Sequence, residues 1–285
     1  MNKSFTLIEI LVVIVVIGIL SAFILVGMSS ITSSANIAKV QAFINSMDNA
    51  LLLGRVSQWK FDELTTAKEA QPIRDSWGSN NGTLYTGSDG LEKISSNCPS
   101  GNCLSFDGSN DYVRASTSIL STNSYSIAMW FMSLDNTLGK QIFEGNILSS
   151  PSLEGTDTNY GWYVGNTAAV NTGPITVGKW YHFVGTFNKG TGLRKLFLDG
   201  VLVGTNTNTT SHDISTFYIA SRTGTTRFWN GLVDDVRIYN QAIPTSEIQQ
   251  NYFVGLNNLY KNNGITLNEF NQRIGELKTN LVKNE

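Results

Sequence analysis

The spacing of apolar positions changes twice along this chain. Residues 5–28 form one apolar run broken by a single charge, Glu9. As a helix rising 1.5 Å per residue, the run spans roughly 36 Å, enough to cross a bilayer. It then thins to a stripe at helical spacing, Val40, Ile44, Met47 and Leu51, with Ala35, Ala38 and Ala42 as good helix formers and Gly54 as a stop. Beyond residue 54 the period falls to two. Short β-type runs are predicted at 56–61, 103–106, 112–115, 125–132, 141–144, 160–164, 181–188, 194–198, 201–205, 216–221 and 231–239, and Asp199-Gly200 is a hairpin signal between two of them. So many short strands in one segment imply two packed antiparallel sheets. After Pro244 the period lengthens again. Ser246-Glu247-Ile248-Gln249 and Thr266-Leu267-Asn268-Glu269 have capping-box spacing, and Phe270, Ile274, Leu277 and Leu281 make an apolar stripe. Two short helices are predicted there, folded back on a surface that the pattern does not name.

Composition supports an all-β middle: 26 Gly against 5 Pro, with Asn, Ser and Thr abundant after residue 75. The 20 basic and 22 acidic side chains leave a net charge of −2 without a Lys/Arg cluster. That excludes an extended nucleic-acid footprint, and an aromatic groove for single strands would carry more positive charge. Cys98 and Cys103 enclose Pro-Ser-Gly-Asn, which suits a tight disulfide loop in an exported chain; a pair of free thiols is the other reading. A zinc site would need more Cys or His than this chain groups together.

The N-terminal run has three readings. For a cleaved signal peptide it is too long, and Ser21-Ala22 lies inside it rather than after it. A plain signal anchor gains nothing from Glu9, because a carboxylate inside a membrane costs a few kcal/mol, on the order of 3. The third reading is a prepilin-type signal. The run Lys3-Ser4-Phe5-Thr6-Leu7-Ile8-Glu9 resembles the type IV prepilin motif, with small Ser4 where the family usually has Gly. The resemblance implies cleavage between Ser4 and Phe5, methylation of the new N-terminus, and a pairing of Glu9 with the α-amine of a neighbouring subunit. A buried amine and a buried carboxylate would neutralise each other there.

A second resemblance covers the β segment. Gln58-Trp59-Lys60-Phe61-Asp62-Glu63, Asp75-Ser76-Trp77-Gly78-Ser79-Asn80-Asn81-Gly82-Thr83-Leu84 and Leu104-Ser105-Phe106-Asp107-Gly108-Ser109-Asn110-Asp111-Tyr112-Val113 resemble the opening of laminin G-like jelly rolls. The 125–131 strand with its Trp, then Gly178-Lys179-Trp180-Tyr181-His182-Phe183-Val184-Gly185-Thr186-Phe187, Leu198-Asp199-Gly200 and Gly231-Leu232-Val233-Asp234-Asp235-Val236-Arg237-Ile238-Tyr239-Asn240, follow in the family order. The implied fold is a concanavalin A-like lectin sandwich. Related jelly rolls often hold one structural Ca²⁺. Carried over by position, its ligands here are Asp75 and Asp234, with Asp62 or Asp107 as partners; turn-forming and strand-capping Asp is the other reading.

Hydrolase chemistry is not expected. The paired acidic pattern Glu-x-Asp-x-x-Glu is absent, Asp234 and Asp235 as strand neighbours point to opposite faces, and His182 and His212 lie far apart in sequence. Ligand binding would need an aromatic platform with amide neighbours. Trp77, Tyr160, Trp162 and Trp229, with Asn166 and Asn230, are the candidates in or beside loops, whereas Trp59 and Trp130 lie on strands and read as core.

The expected fold class is thus a long N-terminal α-helix (a transmembrane half plus an amphipathic half), an all-β jelly-roll sandwich and a short helical C-terminal tail. The expected divisions are a leader at 1–4, a helix at 5–54 with its fibre or membrane part at 5–28, a sandwich at 55–253 and a tail at 254–285. The expected function is a pilin-like subunit, not an enzyme, that displays a lectin-like head for adhesion or for a glycan or surface-protein ligand. Its partners would be other pilin subunits, the prepilin peptidase, the assembly machinery and the membrane. The precursor belongs in the cytoplasmic membrane with its head outside, and the assembled form at the cell surface. A pseudopilin of a secretion or DNA-uptake machine and a monomeric anchored lectin-like protein are the alternatives.

Overall fold

A computed structural model describes residues 54–64, 68–87, 94–95, 97–119, 123–135, 139–145, 151–156, 159–164, 170–210 and 213–282. The chain divides into Met1–Leu53 and a compact unit, Gly54–Glu285. The predicted N-terminal helix, with Ser4, Phe5 and Glu9, lies outside the described residues.

The unit from Gly54 is two antiparallel sheets with two helices. Its elements run β1 Arg55–Trp59, β2 Gln71–Ile73, β3 Gly82–Tyr85, β4 Ile94–Ser95, β5 Cys103–Asp107, β6 Tyr112–Ile119, β7 Tyr125–Ser133, β8 Gln141–Gly145, β9 Ser152–Thr156, β10 Asn159–Tyr163, β11 Val170–Pro174, β12 Trp180–Phe187, β13 Leu193–Leu198, β14 Val201–Thr207, β15 Ile214–Ile219 and β16 Asn230–Tyr239. Helices α1 Thr245–Lys261 and α2 Leu267–Val282 follow. The first sheet has the order β14-β13-β12-β7-β16-β5-β4, with β1 also on β16, and the second the order β11-β10-β9-β8-β15-β6-β3-β2. Every predicted β run overlaps a strand. The additional strands β2, β3, β4, β9 and β11 are short or rich in Gly, Ser and Thr, so they carry little apolar alternation to read.

Alternation decides which side chains meet between the sheets. Ile127, Met129 and Phe131 of β7 point inward against Leu84, Val113, Phe143 and Phe217 of the second sheet. The ring of Phe143 lies 5.7 Å from that of Phe183 and 5.2 Å from that of Phe217, bridging the two layers. The Asp199-Gly200 turn forms as the pair predicts. Both residues have positive φ, 52° and 78°, and Leu198 pairs with Val201 around a two-residue loop.

The helices pack on the outer face of the first sheet. Ala128, Val184, Phe197 and Tyr239 on that face form a second core with Ile243 and Ile248. Trp130 is buried here, under α1, rather than between the sheets: its ring stacks on Tyr252 with centroids 5.6 Å apart. Gly255 permits the approach, since a Cβ at that position would fall 2.5 Å from the indole. Arg273 of α2 is buried in the same layer and donates from Nη1 to the Trp180 carbonyl at 2.7 Å. Helix α1 begins at Thr245, where the change of period after Pro244 predicts a helix, with Pro244 at the N-cap position and no side-chain cap. The capping role read for Ser246 is therefore not used. The second signal is: Thr266 Oγ1 accepts from the Glu269 amide at 3.2 Å.

Candidate functional site

Three regions carry the polar and aromatic groups singled out above. The first is the set of carboxylates nominated for calcium. Asp75 organises its own loop. Its Oδ1 accepts from the amides of Gln58, Trp77 and Gly78, and its Oδ2 from that of Asn80. Burial acts to raise its pKa, but these N–H donors outweigh burial and hold the carboxyl below its usual value. Asp107 accepts from the Ser109 amide at the far end of β5. Asp62 accepts from the Asn102 amide, and Asp234 from the Ser100 amide at 2.7 Å. Both contacts fall on the loop closed by the Cys98–Cys103 disulfide. Helix α1 holds the same loop, Asn258 donating to the Pro99 carbonyl and Asn262 to that of Cys98.

The four nominated carboxylates thus do not converge. Asp62 and Asp234 share one neighbourhood, while Asp75 and Asp107 are each engaged in their own turn. No group of three or more His, Cys, Asp or Glu side chains suited to a metal occurs among the described residues. Asp234 is fully buried, its Oδ1 has no hydrogen-bond partner, and burial followed by repulsion from Asp235 pushes its carboxyl well up. The strict alternation expected of Asp234 and Asp235 is broken. Asp235 has φ 47° and sits in a bulge where the pairing of β16 with β7 shifts between Asp234 and Arg237. Asp235 is engaged by Arg237 and by the Gln58 amide nitrogen at 2.7 Å.

The second region is the set of nominated ligand aromatics. Tyr160, Trp162 and Trp229 are interior, at 6%, 0% and 1% exposure. Period two explains this. Tyr160 and Trp162 are alternate residues of β10 and share its inward face, and Trp229 packs edge-on against Tyr160 and Phe131. Trp77 is 40% exposed; its indole donates to the Arg55 carbonyl, and the Arg55 guanidinium lies 4.8 Å from the ring centre. Asn230 donates to Asp135, and Asn166 and His212 lie outside the described residues. His182 is buried beside Trp130 and Tyr252, and burial lowers its pKa to about 3, so it is neutral and structural.

The third region escaped the sequence. Among the described residues the outer face of the second sheet carries no helix, and aromatic residues from separate strands meet on it. Tyr85 of β3 pairs with Tyr112 of β6, with rings stacked at 4.6 Å and 12°. Tyr218 of β15 lies 6.2 Å from Tyr112, and Phe228 lies 6.4 Å from it. Register continues the array sideways, since Tyr218 faces Arg114 on one side and Glu144 on the other. All three tyrosines are half-buried and Arg114 is exposed. Glu144 is buried; its Oε1 lies 3.8 Å from Arg222, and its Oε2 has no partner. Burial raises its pKa to about 7 against the opposing pull of Arg222 and Arg227. Tyr85, Tyr112, Arg114, Glu144 and Tyr218 each sit in a strand where alternation marks them only as outward-facing. Their assembly depends on pairings between distant strands.

This arrangement defines the class of protein: a lectin-type β-sandwich with one face screened by helices and the other open among the described residues. The chain belongs to the concanavalin A-like lectin/glucanases superfamily, which matches it over residues 107–249. Residues 1–25 match the prokaryotic N-terminal methylation motif. No curated protein matches the chain in sequence. In structure it is similar to domain 4 of AbnA, an extracellular arabinanase from Geobacillus stearothermophilus, in complex with arabinotriose, with a TM-score of 0.54, 20% identity, and 70% of this chain and 98% of that one covered. It is also similar to the Trypanosoma rangeli sialidase (TM-score 0.53, 16% identity, 70% of this chain and 32% of that one). The binding domain of botulinum neurotoxin serotype D gives a TM-score of 0.56 at 14% identity, over 73% of this chain and 52% of that one. This chain therefore spans about a third of the sialidase and about half of the toxin chain. At these identities the likeness is one of fold. Among the described residues no helix is long and apolar enough to cross a membrane.

Proposed function

We propose that this chain is a type IV pilin-like subunit whose head binds glycans on the open face of the second sheet. The observation that carries the binding half is the Tyr85–Tyr112–Tyr218 array beside Arg114 and Glu144. Aromatic rings accept the apolar faces of sugars, and a few convergent polar groups orient the hydroxyls. The arabinotriose held by domain 4 of AbnA supports a saccharide as the ligand class. Binding rather than catalysis is read for the head, because no Glu-x-Asp-x-x-Glu run is present.

The assembly half rests on the methylation motif. Prepilin peptidase would cut between Ser4 and Phe5, from a precursor in the cytoplasmic membrane with its head outside. Glu9 would then pair with a neighbour's α-amine inside a fibre or pseudopilus. Adhesion is the role that joins the two halves. A structural Ca²⁺ belongs to this reading only near Asp62 and Asp234, where a buried carboxylate oxygen lacks a partner. It would draw the rest of its oxygens from backbone and water.

The test is retention of cells displaying the chain on a panel of immobilised glycans. Wild type should be retained on at least one glycan, and Tyr112→Ala should lose most of that retention. Equal retention of wild type and Tyr112→Ala, or retention on none, would overturn the binding half.

A further inference from the structure

The charge pattern of the open face narrows the ligand. This step rests on the reading of that face as the glycan site. A neutral sugar would be served by the tyrosines and one or two hydrogen-bonding groups. Here Arg114 projects beside them, exposed, and no ion pair engages it among the described residues. It faces Tyr218 directly across the β6–β15 pairing and lies two residues along the same strand face from Tyr112, so its guanidinium is within reach of anything stacked on either ring. Arg222 lies on the opposite flank, its nearest carboxylate, Glu144, being 3.8 Å away.

We infer that the open face takes an acidic saccharide, a chain bearing ring carboxylates, with the sugar ring on Tyr112 and Tyr218 and its carboxylate on Arg114. A guanidinium presents a planar fork of donors that matches a carboxylate in two parallel bonds, which an ammonium or an amide does not. Neighbouring strands are about 4.8 Å apart, so Arg114 and Glu144, one strand to each side of Tyr218, flank it across roughly 10 Å, a span that a short oligosaccharide covers. Repulsion between Glu144 and the ligand is moderated by burial, which keeps this side chain partly protonated near neutrality.

The experiment uses the full-length chain held in neutral detergent and titrated with a galacturonate oligosaccharide. The methyl-esterified form of the same oligosaccharide, equal in shape and uncharged, is the control. The acid should bind at least tenfold more tightly than the ester, the difference should shrink as salt is raised, and Arg114→Gln should abolish it while leaving the melting curve unchanged. Arg114→Lys should restore only part of it. Equal binding of acid and ester with Arg114→Gln indifferent would overturn the acidic ligand and leave a glycan-binding face standing. Failure of the wild-type chain to bind galacturonate, alginate and hyaluronate fragments would also overturn the acidic ligand, whatever the glycan panel shows for neutral sugars.

Discussion

The ring of Tyr252 on α1 stacks on the indole of Trp130 on β7, with centroids 5.6 Å apart and planes 19° from parallel. This contact joins the helical layer to the first sheet. Removing it by Tyr252→Ala leaves a cavity over Trp130 and should cost about 3 kcal/mol, as truncation of a buried aromatic does. Gly255→Val should cost a similar amount by driving side-chain atoms into the same indole. Urea titration of residues 54–285 measures both. Hydrogen exchange should rise first in α1 and α2 and leave the inner strands protected.

Stability should fall as pH rises through the weakly acidic range. Burial raises the Glu144 carboxyl from 4.5 to about 7, Glu247 from 4.5 to about 6 and Asp199 from 3.8 to about 6. Each folded carboxyl holds its proton more tightly than the unfolded chain does. The benefit is complete below about pH 4 and is lost as pH climbs to 7. Asp75 and Asp235, whose pKa values are lowered, act in the opposite sense at more acidic pH. Chemical denaturation between pH 5 and 8 should show the decline, and Glu144→Gln should remove its upper part, on the order of 2 kcal/mol.

Calcium gives a clear contrast among the nominated carboxylates. If an ion is held by Asp62 and Asp234, millimolar Ca²⁺ should raise the melting temperature of wild type, and Asp234→Asn should abolish the rise. Asp107→Asn should keep it. Asp75→Ala should lower stability with or without the ion, by about 2 kcal/mol or more, because four amides lose their acceptor.

Processing and assembly separate at two residues. Protein recovered from producing cells should begin at a methylated Phe5 by intact mass. Glu9→Val should leave that mass change in place and reduce assembly into filaments at least tenfold by electron microscopy counts. A chain still beginning at Met1 in cells with an active prepilin peptidase would argue for a plain anchor.

Local features of this protein were legible in its residues. The Asp199-Gly200 turn forms because both positions need positive φ, which Asp tolerates and Gly favours. Thr266 caps its helix through a contact spanning three residues. The strands at 125–133 and 180–187 read correctly because alternation is a property of neighbours in sequence. Cys98 and Cys103 pair across a loop of four residues, the disulfide reading of that spacing rather than free thiols.

Other features depended on partners far away in the chain. Trp162 and Trp229 lie beside turns, yet the register of β10 and β9 carries the first inward and the second follows it into the core. The bulge at Asp235 exists only because β16 meets β7 out of step, and it brings together carboxylates that alternation separates. Tyr85, Tyr112 and Tyr218 are ordinary strand residues until β3, β6 and β15 lie side by side. The sequence by itself determined periods, turns, a cap and the N-terminal motif, all set by local backbone geometry and neighbouring residues. Only the tertiary structure decided that the two C-terminal helices cover the first sheet and that, among the described residues, the tyrosine face carries none, because burial is settled by pairings across the whole chain.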